Sequence, residues 1–176
     1  MQLSIMTQIY TRLTYASTAT FLTNSRGGIE ADVARILLQS RKNNSHAGVG
    51  GVLHYGNGYF FQCLEGPRDQ VNALYRKISK DSRHKNVQVL SMVTINKRLF
   101  DRWSMKYLPL EENLTASLKK IGQDAFNPYL LSDSMIDDLL KACVIGQDPT
   151  AKMTTEAPKK KDSSVAGWWR RIWQAS

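Results

Sequence analysis

The sequence predicts an α+β domain of ferredoxin-like type: a βαββαββ sheet with two helices on one face and C-terminal helices packed on the other. Three observations carry this expectation. Apolar periods of two and of 3.6 residues follow one another in that order along residues 13–108. Glycine, asparagine and proline punctuate the junctions, and the period turns helical again after Pro109.

Each element has its own signal. Leu13 to Ser17 alternates apolar and polar residues and reads as a first strand. A polar loop ending in Arg26-Gly27-Gly28 follows. Ile29, Val33, Ile36 and Leu37 then fall on one face of a helix, which should stop near Asn43 to Gly48. Val49 to Tyr55 and Tyr59 to Leu64 read as paired strands, with Gly56-Asn57-Gly58 as a hairpin loop that tolerates positive φ. Pro67 opens a second helix with Val71, Leu74, Tyr75 and Ile78 on its apolar face. Val87 to Ile95 is a long strand and Ser104 to Leu108 a short one. Beyond Pro109, Leu114, Leu118 and Ile121 mark one helix. Met135, Ile136, Leu139, Leu140 and Cys143 mark another, capped by Asp133 or Ser132.

Composition narrows the function. The chain has 176 residues, 42% of them hydrophobic and 22% charged, which suits one globular domain with an appendage. Net charge is +9, which permits an anionic partner without specifying one. Residues 151–176 carry a net +4 (Lys152, Lys159, Lys160, Lys161, Arg170 and Arg171 against Glu156 and Asp162) and three of the four tryptophans. The expected layout is a domain over 1–108, a helical extension over 109–146, and a flexible linker with a basic, Trp-rich tail over 147–176. Two cysteines, Cys63 and Cys143, supply no disulfide framework and point to a reducing compartment. With neither a membrane-length apolar run nor a signal peptide, the expected location is cytoplasmic.

The chemical inventory is short. His46, His54 and His84 have no metal-ligand spacing with cysteine or acids, and there is no Walker loop or nucleophile elbow. Asp137 and Asp138 read as a solvated helix face and Cys63 as core packing.

Four strings, taken in order, are more specific. They are Arg12-Leu-Thr-Tyr15-Ala-Ser17; Asn43-Asn44-Ser-His-Ala-Gly48-Val-Gly-Gly51-Val-Leu53; Phe60-Phe-Gln62-Cys-Leu-Glu65-Gly66-Pro67; and Asp81-Ser-Arg83-His84 with Arg102-Trp103-Ser-Met105. Together they resemble the BLUF domain, a blue-light sensor that uses flavin, over roughly Leu13 to Tyr107. The family fold is also ferredoxin-like.

The resemblance implies a non-covalently bound flavin, FAD with FMN or riboflavin as alternatives, and a residue set around it. Tyr15 would be the redox-active phenol, with Gln62 between it and the ring. Asn44 would hydrogen-bond the ring's polar edge, and Ser40 would line the pocket one turn earlier. Ile36, Leu53, Phe60 and Ile78 would wall the ring. Lys77, Asp81, Arg83 and His84 would approach its edge, ribityl chain or phosphate. Trp103 and Met105 would alternate near Gln62. Light would drive an electron and a proton from Tyr15 toward the flavin and leave the Gln62 hydrogen bonds rearranged. These residue types suit an isoalloxazine, because aliphatic chains hold its flat apolar faces and a carboxamide offers both donor and acceptor to its edge. A buried amide such as Gln62 without partners would cost about 1–3 kcal/mol.

Two departures stand out. Where the family often has Ile-Thr-Gly, this chain has Val49-Gly50-Gly51, which is expected to loosen the backbone. Lys77 stands where some members have Arg, losing bidentate geometry toward phosphate.

No enzymatic block follows the sensor region, so the resemblance implies a short photosensory protein, not an enzyme. It would act by contact with a downstream signalling or regulatory protein, through helices between Glu111 and Val144. A homo-oligomer is a further option. The segment Trp168-Trp169-Arg170-Arg171-Ile172-Trp173 suits a peripheral membrane contact. Direct nucleic-acid binding is not expected, although a basic ferredoxin-like nucleic-acid module without chromophore is the alternative that +9 suggests. An acylphosphatase-type enzyme would need a phosphate loop, of which Asn24 to Gly28 is a faint echo.

Overall fold

A computed structural model describes residues 9–21, 31–108 and 125–145. The loop at Asn24 to Gly28 with Ile29, the helix expected at Leu114 to Ile121, and the linker and tail from 147 onward lie outside the described residues.

Five strands form one sheet: β1 (Tyr10–Ala19), β2 (Gly50–Gly56), β3 (Tyr59–Gly66), β4 (His84–Ile95) and β5 (Lys106–Tyr107), in the order β4-β1-β3-β2-β5. The β1/β4, β1/β3 and β2/β3 pairs are antiparallel and β2/β5 is parallel. Helices α1 (Ala31–Ala47) and α2 (Arg68–Ile78) connect β1 to β2 and β3 to β4, and α3 (Asp133–Ile145) follows a 3-10 turn at Pro128–Leu130. This is the ferredoxin-like α+β arrangement that the periodicity predicts.

Local chemistry sets the boundaries. Helix α1 stops at Gly48, whose φ of +63° suits a glycine after a helix end, and Val49 N–H closes the turn on Asn44 O at 2.9 Å. The hairpin residues Asn57 and Gly58 have φ of 53° and 76°, the left-handed pair that matches strand twist. Pro67 is the residue before α2 rather than its first turn, and its carbonyl accepts from Val71 N–H. Ser132 caps α3, its Oγ accepting from Met135 N–H at 3.4 Å. Strands β1 and β4 outrun the alternation seen in sequence, because their ends pair with each other: Tyr10 with Ile95 and Ala19 with His84.

The side-chain alternation of β3 divides the core into two layers. Phe60 and Leu64 face α1 and α2, where they meet Leu13, Tyr15, Val33, Ile36, Leu37, Leu53 and Val71. Phe61 and Cys63 face the other way and pack with Val52, Phe100, Phe126, Ile136 and Leu140. Helix α3 therefore covers the second face, leaving Asp137 and Asp138 exposed.

Gly50 refines one expectation. Its lack of a side chain is a packing feature and not only a backbone one: a Cβ there would lie 2.1 Å from Phe100 O and 2.8 Å from Trp103 O. Both are main-chain atoms of the segment entering β5. Gly50→Thr should therefore lower stability by about 1–3 kcal/mol, the usual range for overpacking. Urea unfolding checks this, and an unchanged midpoint would mean that the 100–103 backbone moves away freely.

Candidate functional site

Strand register builds the centre of the site. Tyr15 on β1 lies opposite Gln62 on β3, and Gln62 lies opposite Leu53 on β2. Opposite residues share a sheet face and stand within contact reach. Pairing with β4 shifts register between Thr14 and Tyr15, an irregularity of the kind that re-aims a side chain. The Tyr15 hydroxyl donates to Gln62 Oε1, and Gln62 Nε2 donates to Met105 Sδ at 3.5 Å. All three side chains are buried. Burial, reinforced by Tyr75 and Asp81, raises the Tyr15 pKa far above the phenol range, so Tyr15 is a neutral donor.

Helix α1 supplies the next layer. Asn44 lies three turns beyond Val33 on the buried face of the helix. Its Nδ2 donates to Ser104 O at 2.8 Å, while its Oδ1 has no hydrogen-bond partner among the described residues. A buried acceptor left in that state costs about 1–3 kcal/mol, so the position suits a ligand donor. Ser40, one turn earlier, is half-buried. Ile36, Leu53 and Phe60 are buried in the same layer, with Ile78 of α2 packed against it. These groups fit an isoalloxazine: aliphatic and aromatic walls beside an amide oxygen that lacks a donor.

The loop after α2 is tied down by charge. Asp81 accepts from Arg83 N–H and Nε at 2.9 Å each. Chiefly through the Arg83 side chain, the carboxyl is held at about 2. Arg83 Nη2 also donates to Gln39 Oε1 at 3.0 Å, joining this loop to α1. His84 Nδ1 lies 2.7 Å from Ser17 Oγ, and its ring packs 4.5 Å from Phe60. Burial, partly offset by Asp81, lowers His84 to about 4, so the imidazole is neutral near pH 7. Lys77 is exposed at the end of α2.

The structure brings Met105 to Gln62 and leaves Trp103 elsewhere. Trp103 joins the second core layer, 6.4 Å from Phe100 and with Lys106 Nζ 4.7 Å from its ring centroid. Three further residues carry contacts that sequence reading assigned to none of them. Arg41 donates from Nε to Met105 O at 3.0 Å. Tyr75 packs edge-on against Tyr15 at 5.7 Å. Glu65 is wholly buried and paired with Arg12. Two of the three had a signal: Arg41 lies three residues before Asn44, and Glu65 lies within the Gln62 string.

Other chemistries find little here. No metal-binding group of His, Cys, Asp or Glu occurs among the described residues, and no helix among them is long and apolar enough to cross a membrane. An RNA-binding sheet presents strand aromatics to bases, whereas Tyr15, Phe60 and Phe61 are buried.

A ferredoxin-like sheet with a buried Tyr-Gln-Met row beneath two helices defines a small α+β domain whose chemistry suits a planar ligand. Residues 10–106 match the family described as sensors of blue-light using FAD, and the chain belongs to this BLUF family. It is 34% identical over 111 residues to photoactivated adenylate cyclase subunit beta of Euglena longa, covering 63% of this chain and 11% of that protein. The blue light- and temperature-regulated antirepressor BluF of Escherichia coli is 35% identical over 71 residues, 40% of this chain and 18% of that one. The chain thus spans a small part of these relatives. Among solved structures, the BlsA ground state has a TM-score of 0.69 at 32% identity and covers 91% of this chain and 98% of its own. BlrB, a BLUF protein in its dark state, has a TM-score of 0.64 at 27% identity, with coverage of 80% and 99%.

Proposed function

We propose that this chain is a blue-light photoreceptor that binds FAD non-covalently and signals through protein contact. The observation that carries the reading is the buried Tyr15–Gln62–Met105 hydrogen-bonded row, with Asn44 Oδ1 lacking a partner among the described residues. A bound flavin would supply light absorption and redox chemistry, and Tyr15 would be the residue that gives up an electron and a proton. Tyr15 holds that proton on its hydroxyl, directed at Gln62 Oε1. Gln62 can exchange acceptor for donor by turning its amide, because a carboxamide carries both at one end. Asn44 would orient the ring's polar edge through Oδ1, with Ser40 beside it. Ile36, Leu53, Phe60 and Ile78 would exclude water from the ring faces. His84, held by Ser17, and Arg83, held by Asp81, would border the ribityl end, where exposed Lys77 would meet phosphate.

Output would leave through β5, where Met105 is followed by Lys106, whose Nζ donates to Cys143 O of α3 at 3.4 Å. A downstream signalling protein that favours one of the two states would then shift their balance. The E. coli relative is named as an antirepressor and the Euglena relative as a cyclase, which supports a regulatory output. Self-association and a membrane contact by Trp168 to Trp173 are compatible additions to this scheme.

Titration with FAD, FMN and riboflavin tests the binding half of the proposal. We expect stoichiometric yellow protein, with Asn44→Leu weakening uptake about tenfold, the value of one hydrogen bond of roughly 1.4 kcal/mol. Equal uptake by Asn44→Leu would remove Asn44 from the site.

A further inference from the structure

On the face of the sheet turned away from Tyr15, one carboxyl group holds the chain that leads to Met105. Glu65 follows Gln62 by three residues on β3 and therefore points to the opposite face. It is 0% exposed. Its Oε1 accepts from Arg12 Nε at 2.6 Å. Its Oε2 accepts from two main-chain groups, Leu99 N–H at 2.7 Å and Phe100 N–H at 3.0 Å. A buried carboxylate must have its lone pairs met, and here both oxygens are used.

The two amides belong to the segment between β4 and β5. Further along, that segment is held by Gly51 N–H on Trp103 O at 3.1 Å, by Asn44 Nδ2 on Ser104 O and by Arg41 Nε on Met105 O. Gly50 lets its backbone approach β2 closely. The segment is thus a strap, fastened at one end by Glu65 and at the other by α1, and it ends at the thioether that accepts from Gln62 Nε2. A strap fastened at both ends has little freedom in where it delivers Met105.

We infer that Glu65 is a positioning residue for the photoresponse: by fixing the amides of Leu99 and Phe100 it sets Met105 against Gln62. The inference rests on the sensor reading above and adds to it a second strand position, on the sheet's far side, that tunes the same hydrogen bonds. Glu65 makes no contact with Tyr15 or Gln62 among its hydrogen bonds, so its influence must travel through the strap. The substitution Glu65→Gln keeps size and one acceptor oxygen, but sets an NH2 group against either Arg12 or the two amides.

The test is a double-mutant cycle in the FAD-loaded full chain, reading the rate of dark recovery after blue light and the dark absorption maximum. Glu65→Gln should change recovery about tenfold in the natural background and less than about twofold in Met105→Ala, with any displacement of the dark maximum likewise confined to the natural background. Equal effects in the two backgrounds, or no effect in either, would overturn the inference. Should Glu65→Gln fail to fold, Arg12→Lys, which keeps the charge but not the Nε donor, is put through the same cycle with the same two outcomes. A chain that takes up no flavin defeats the sensor reading itself, whereas a photocycling chain with equal effects defeats only the role of Glu65.

Discussion

Gln62→Leu should take up flavin and show no red-shifted product under blue light. The natural amide accepts from the Tyr15 hydroxyl and donates to Met105 Sδ. Leucine fills much of the volume and does neither, so no rearrangement of hydrogen bonds can follow excitation. The substitution also strands the Tyr15 hydroxyl, which is wholly buried. Leaving that donor unmet costs about 1–3 kcal/mol, partly offset by the greater apolarity of leucine. The expected readings are a flat light-minus-dark spectrum and a modestly lower unfolding midpoint. A red shift of natural size in this variant would show that the response does not pass through Gln62.

Tyr15→Phe separates binding from photochemistry. The ring stays in the core against Tyr75, and only the hydroxyl is removed. Flavin uptake should persist and the reversible light product should vanish, because the hydroxyl proposed to donate the proton and electron is gone. Gln62 Oε1 loses its donor, so the dark absorption maximum should move as well. In the natural chain burial raises the Tyr15 pKa, which keeps the phenol protonated throughout the neutral range. The light product should therefore be constant in amplitude from about pH 6 to about pH 9, well below even the ordinary phenol pKa of about 10. Amplitude that falls toward pH 9 would mean that Tyr15 ionises within that interval.

Much of this arrangement was legible in the residues. Alternation around Tyr15 gives strand identity to β1, and the Gly56-Asn57-Gly58 loop between two short apolar runs marks β2 and β3 as a hairpin. Once those strands pair, register alone sets Gln62 opposite both Tyr15 and Leu53. Asn44 lies on the buried face that Val33, Ile36 and Leu37 begin, but periodicity places it only at the helix end, and its role comes from the family resemblance.

The less legible features are non-local. The length of β4 depends on pairing with β1, and nothing within His84 to Asn86 signals a strand. Gly50 looks like a flexible joint until Phe100 O is seen against it. Glu65 reads as an ordinary strand-end acid, since its partners Arg12, Leu99 and Phe100 lie 53, 34 and 35 residues away. Trp103 and Met105 are two residues apart, yet they belong to opposite core layers, because the chain turns at Ser104 before entering β5.

The most direct test of the central claim is the absorption spectrum of the FAD-loaded natural chain, taken in darkness and again after blue light. The account predicts a flavin spectrum that shifts slightly to the red on illumination and returns in darkness. A chain that binds no flavin, or a bound flavin whose spectrum does not change reversibly with light, would contradict it.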